Sequence, residues 1–178
     1  QPGGLLNKGH FALEADYIYD TGGSLTLALS VQTAKIALDI KTGYYRILDY
    51  FILHDAGKLL NPKIVDGQII GGVVDGMGCT TLSEIIHDEN GQLLTGSLMD
   101  YLVMTAPEAP RVRVSHMETL PTTNPLGVRG VGEGGVIPVP PTIANALRRI
   151  VASYPGSQPD MLYELPLRPE IILNALNR

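Results

Sequence analysis

The residues best suited to chemistry lie between Asn124 and Ala146, where one carboxylate, Glu133, is set among Gly127, Gly130, Gly132, Gly134 and Gly135. Glycines let backbone approach a bound group closely, and a carboxylate desolvated beside such a group becomes a competent proton acceptor near neutral pH. Leu126, Val128, Val131, Val136 and Ile137 interleave with the glycines, so the segment reads as a loop packed beneath something bulky. Most Gly-Glu-Gly segments are solvated turns, so pattern alone does not make Glu133 a base. Gln68 is a second candidate: an amide on a glycine-rich helix can satisfy the donors and acceptors of a heterocycle, or simply cap a neighbouring loop.

Other chemistries fail on context. Gly130 to Gly135 matches G-x-G-x-x-G, but Asn124-Pro125 precedes it and Pro138, Pro140 and Pro141 delay the helix that a dinucleotide site requires. There is no Gly-Lys-Ser/Thr and no G-x-S-x-G. His10, His54, His87 and His116 show no metal-ligand spacing and read as surface or strand-end residues, so no metal ligand is expected from side chains. Cys79, the sole cysteine, reads as a small buried hydrophobe and suits a reducing cytoplasm.

The elements that must position these residues are legible from periodicity. Leu25, Leu27, Leu29 and Val31 alternate with polar or small neighbours, and a phase change at Gln32-Thr33, read as a bulge, passes the pattern to Ala34, Ile36, Leu38 and Ile40. Lys41-Thr42-Gly43 is a turn, and Tyr44 to Leu53 completes a hairpin. Asn61-Pro62 opens a helix carrying Ile64, Val65, Ile69, Val73 and Leu82 toward Ile86. Gly67, Gly71, Gly72, Gly76 and Gly78 each cost that helix about 0.5–1 kcal/mol relative to alanine, which close approach of a backbone or ligand would offset. Asp88-Glu89-Asn90-Gly91 is a hairpin turn, Arg111 to Glu118 a strand, Pro140-Pro141-Thr142 the start of a helix, and Pro169 to Asn177 a last short helix.

The predicted fold is α+β in two layers: a mixed or antiparallel sheet packed against the glycine-rich helix and a second, C-terminal helix. Residues 1–178 are read as one domain, with a β-rich part over 1–60 and a cofactor-facing part over 61–178. The hydrophobic fraction of 44% against 17% charged residues allows apolar surface beyond the chain's own core. A net charge of −5 and the lack of any Lys/Arg run argue against nucleic acid, and neither a membrane span nor a secretion signal is expected.

Four blocks then carry a resemblance: His54-Asp55-Ala56-Gly57 through Asn61-Pro62; Asp66-Gly67-Gln68-Ile69-Ile70-Gly71-Gly72; Gly96-Ser97-Leu98-Met99-Asp100-Tyr101; and Asn124 through Glu133. In this order and spacing they resemble the C-terminal part of the large, molybdenum-binding subunit of the xanthine oxidase family of molybdenum hydroxylases, which includes aerobic carbon monoxide dehydrogenases. The resemblance implies that Glu133 is the general base, that Gly130, Val131 and Gly132 bring backbone to the cofactor, and that Gln68 hydrogen-bonds the pterin. It implies a molybdenum–molybdopterin cofactor, in bacterial members usually the cytosine dinucleotide. It further implies a small-molecule substrate, and as partners the remainder of the large subunit, an iron–sulfur subunit carrying [2Fe–2S] and a subunit carrying FAD. The competing expectation is a catalytically incomplete remnant that serves as a binding or assembly module.

Overall fold

A computed structural model describes residues 26–177, together with Asp16 and Ile18. The strand-like run ahead of residue 26, Leu25 included, and His10 lie outside the described residues.

Two long strands form the predicted hairpin. β1 (Leu29–Leu38) pairs antiparallel with β2 (Tyr45–Asp55), and β3 (Val112–Met117) joins the other edge of β2 in parallel, giving a mixed sheet in the order β1-β2-β3. The turn between β1 and β2 closes through Gly43 N–H to the Asp39 carbonyl at 2.8 Å. The bulge is not where periodicity placed it. β1 alternates without interruption, and the register shift falls opposite Lys35/Ile36, where Leu48 of β2 is the extra residue. Leu29 and Val31 are 65% and 62% exposed on the outer face, while Ala34, Ile36 and Leu38 face inward. A strand apolar on both faces thus imitates a phase slip.

α1 (Pro62–Thr81) crosses between the two parallel strands. Asn61 caps it, its side-chain oxygen accepting from Ile64 N–H at 3.3 Å. Ile69, Val73 and Met77 are fully buried at i, i+4 and i+8, whereas Ile64 faces outward. The helix stops short of Ile86 because the N–H groups of Leu82 and Ser83 both turn back to the Gly78 carbonyl, at 2.8 and 2.9 Å. Ile86 instead flanks the hairpin turn at Asp88–Gly91, where Leu94 N–H reaches the Ile86 carbonyl at 2.8 Å.

α2 (Val139–Val151) buries Val139, Ile143, Leu147 and Val151 against β1 and α1. A short 3-10 helix (Pro159–Met161) and α3 (Pro169–Ala175) close the far end of the core with Leu162, Leu167 and Ile172. Each such side chain contributes about 1.5–3 kcal/mol of apolar burial. The architecture is the α+β arrangement expected, two helices on one face of a mixed sheet. No helix among the described residues is long and apolar enough to cross a membrane.

Candidate functional site

The glycine-rich loop is anchored first at its N-terminal stem. The Asn124 side chain pairs both ways with Val128, donating to its carbonyl at 2.9 Å and accepting its N–H at 3.1 Å. Gly57 and Gly127, with φ of +64° and +66°, let this stem lie against the β2–α1 connection. Lys58 N–H donates to the Gly127 carbonyl at 2.8 Å, and Arg129 N–H to Ala56 at 2.7 Å. The Arg129 guanidinium reaches the carbonyls of Thr119 and Leu27 at 2.9 and 2.6 Å. Asp55 underlies the junction, accepting from Gly57 and Thr119 N–H at 2.9 and 3.1 Å. Burial opposes its ionisation, but the Thr119 hydroxyl, these N–H groups and Arg129 together hold its carboxyl below the ordinary value.

Beyond the stem the loop packs into α1. A Cβ on Gly135 would collide with the Ile69 carbonyl and meet Val73 N at 3.1 Å; one on Gly76 would meet Val139 Cβ at 2.8 Å and the Val136 carbonyl at 2.9 Å. Those glycines, with Gly72 facing Val136 N at 3.2 Å, allow helix and loop backbones to touch. Here is the offset for part of their propensity cost.

Side-chain amides from both layers then hold the loop. Gln68 Nε2 donates to the Gly132 carbonyl at 2.8 Å. Gln32 Nε2, from β1, donates to the carbonyls of Gly134 and Gly135 at 3.3 and 3.1 Å, and the Tyr50 hydroxyl donates to Gln32 Oε1. His54 lies directly under Gly134, where any Cβ would overlap its ring. It is strand-terminal as expected but buried, not at the surface, with neither ring nitrogen hydrogen-bonded among the described residues. Burial, and then the neighbouring His116, push its pKa below the usual value, with Asp55 opposing. His116 itself pairs Nε2 with Asp66 Oδ1 at 2.7 Å. Cys79 is half-buried rather than fully enclosed.

Glu133 is exposed, on the wall of a cleft of about 470 Å³ that Ala28, Ser30, Gly130, Val131, Ile137 and Pro138 also line. Leu126 and Ile137 are likewise 58% and 64% exposed, so the loop's covering is not supplied by the described residues. The N–H groups of Gly130, Val131, Gly132 and Glu133 donate to no backbone oxygen among the described residues. A Cβ built on Gly67, Gly71, Gly130 or Gly132 would meet nothing within 4 Å. Bare backbone on helix and loop, open amide donors and a Gln68 amide oxygen without a partner among the described residues fit a polar, anionic group better than a metal ion held by side chains. Among the described residues no cluster of His, Cys, Asp or Glu could hold a metal.

Sequence reasoning brought Gln68 and the Gly130–Glu133 segment forward, and the fold places them together. Gln32, Tyr50 and His54 were not singled out for roles at this loop. The available signal for Gln32 was a long amide on a strand face otherwise made of Ser30, Ala34, Ile36 and Leu38.

A family model described as molybdopterin cofactor-binding domain matches residues 2–110, a span that includes Gln68. The nicotine 6-hydroxylase large subunit of Paenarthrobacter nicotinovorans is 36% identical over 79% of this chain and 17% of its own length. The carbon monoxide dehydrogenase large chain of Hydrogenophaga pseudoflava is 32% identical over 83% of this chain and 18% of its own. Among solved structures, quinoline 2-oxidoreductase from Pseudomonas putida 86 superposes with a TM-score of 0.70 at 34% identity, covering 82% of this chain and 18% of that one. Reconstituted CO dehydrogenase from Oligotropha carboxidovorans gives 0.75 at 26%, covering 83% and 18%. The chain therefore spans less than a fifth of the length of each of these relatives. By sequence and by fold alike, it belongs to the molybdopterin cofactor-binding domain family of the molybdenum hydroxylases.

Proposed function

We propose that this chain is the cofactor-facing part of a molybdenum hydroxylase large subunit, a single domain over 1–178, and that Glu133 is its general base. The observation that supports this most is a lone carboxylate on a loop with open N–H donors and tied carbonyls, beside bare glycine backbone on α1. When bound, the molybdenum–molybdopterin group, in its cytosine dinucleotide form, supplies the two-electron redox chemistry that adds a water-derived oxygen to carbon monoxide, an aldehyde or an N-heterocycle. The N–H groups of Gly130, Val131 and Gly132 face the anionic group, and Gln68 offers its carbonyl oxygen and remaining amide hydrogen. The Glu133 carboxylate would accept the proton given up by the water-derived oxygen and pass it on to solvent.

Electrons leave through [2Fe–2S] and FAD centres on partner subunits, in the cytoplasm. The remainder of the large subunit covers the outer apolar strip at Leu27, Leu29 and Val31 and excludes water from Glu133, both of which stand open in this chain. In the assembled, cofactor-loaded enzyme, Glu133→Gln abolishes dye reduction while molybdenum content stays at one equivalent; full turnover in that variant rejects the role. A chain acting only as a binding or assembly module would instead join the remainder of the subunit without molybdenum or pterin being retained.

A further inference from the structure

Glu133 sits between two glutamine side chains that come from opposite layers of the fold. Gln68 holds the peptide plane immediately before it through the Gly132 carbonyl, and Gln32 holds the carbonyls of Gly134 and Gly135 just after it. Glu133's own carbonyl accepts from Ile137 N–H at 3.4 Å, so four consecutive loop carbonyls are engaged. The direction of the Gln32 amide is fixed chemically. Carbonyl oxygens only accept, so its NH₂ must face the glycines and its oxygen must face Tyr50. Tyr50 is fully buried, which pushes its pKa to about 12 and keeps the hydroxyl a donor at any working pH. Turning the amide over would set its oxygen against two carbonyls, neither of which can donate. Below this, the His54 ring blocks the loop from sinking at Gly134.

We infer that Gln32, oriented by Tyr50, is a positioning residue for Glu133, forming with Gln68 a two-sided amide clamp on the loop that carries the carboxylate. The inference rests on the reading of Glu133 as the base. It also accounts for a part-buried glutamine on an inward face, which without strong hydrogen bonds would be costly.

Two readouts test it. In the 178-residue chain, hydrogen exchange is followed for peptides covering residues 131–137 and, as a reference, α2. Gln32→Met, which keeps side-chain length without hydrogen bonds, and Gln32→Glu, which opposes a carboxylate to two carbonyls, each speed exchange in 131–137 about tenfold or more and leave α2 unchanged. In the cofactor-loaded enzyme both variants lower kcat about tenfold to a hundredfold at unchanged KM, because a misplaced base affects the reacting geometry and not substrate capture. Tyr50→Phe, which leaves the amide donor but frees its oxygen, gives a smaller increase in the same peptides and serves if a Gln32 variant does not fold. Unchanged exchange in 131–137 and unchanged kcat in the Gln32 variants, with Glu133→Gln inactive, overturns the clamp and spares the base. An active Glu133→Gln enzyme removes the base, and the exchange measurement then decides the clamp alone.

Discussion

The side-chain amide of Gln68 donates to the carbonyl of Gly132 at 2.8 Å, joining two residues 64 positions apart. The contact ties the middle of α1 to the peptide that leads into Glu133. It also divides the work of the amide: one N–H is committed to the protein, and the oxygen and the second N–H have no partner among the described residues. Replacing Gln68 by Glu sets an acceptor against an acceptor. The expected result is faster exchange across residues 131–134 in the chain and a lower pterin content in the assembled enzyme, measured by fluorescence of the released, oxidised pterin.

The glycines of α1 and the loop divide into two kinds that a stability measurement separates. Gly135→Ala drives a Cβ into the Ile69 carbonyl, and the crowding is backbone against backbone, so urea denaturation should show a loss of about 1–3 kcal/mol. Gly71→Ala meets open space within a helix and should stabilise the chain by about 0.5–1 kcal/mol. If the open face of Gly71 receives the cofactor, the same substitution lowers molybdenum content in the assembled enzyme despite the gain in stability.

His54 makes stability depend on pH near neutrality. Its pKa is depressed in the fold, so the unfolded chain takes up a proton near 6.5 that the folded chain refuses. Stability therefore falls as pH drops below about 6.5. Asp55, whose carboxyl is held low, acts with the same sign in a lower window: its stabilisation is present above the ordinary carboxylate range and is lost as pH falls below about 4. Thermal unfolding from pH 7.5 to 5.0 should show a falling Tm, and His54→Gln should flatten that slope in this window without altering the acid limb.

Arg129 bridges segments that share no secondary structure, reaching Thr119 and Leu27 while lying 3.7 Å from Asp55. Lysine has one donor centre and cannot span the two carbonyls. Arg129→Lys should cost about 1.5–3 kcal/mol, read by chemical denaturation, and should loosen the 119–129 segment in hydrogen exchange before the strands.

Local patterns fixed by short-range physics were legible from the residues themselves. The hairpin at Lys41–Gly43, the Asn61 cap, the apolar face of α2 and the alternation of β3 each depend on neighbours within a turn or a strand pair, and each stands where expected. The misreadings have equally physical origins. β1 carries Leu29 and Val31 outward and Ile36 and Leu38 inward, and a one-dimensional pattern cannot distinguish two apolar faces from one that slips. The end of α1 was overrun because Leu82 and Ile86 prolong a helical spacing that the backbone, turning back to Gly78, does not follow.

Residue types at short or regular spacing carried the elements, the glycine-set carboxylate and the family likeness. The meeting of Gln32 and Gln68 on one loop from two layers, with His54 buried beneath it, comes from the stacked fold. Those contacts span 102, 64 and 80 positions and exist only once sheet and helices are stacked. Hydrogen bonds of that range leave no periodic trace along a chain, since any polar residue on an inward face could have made them.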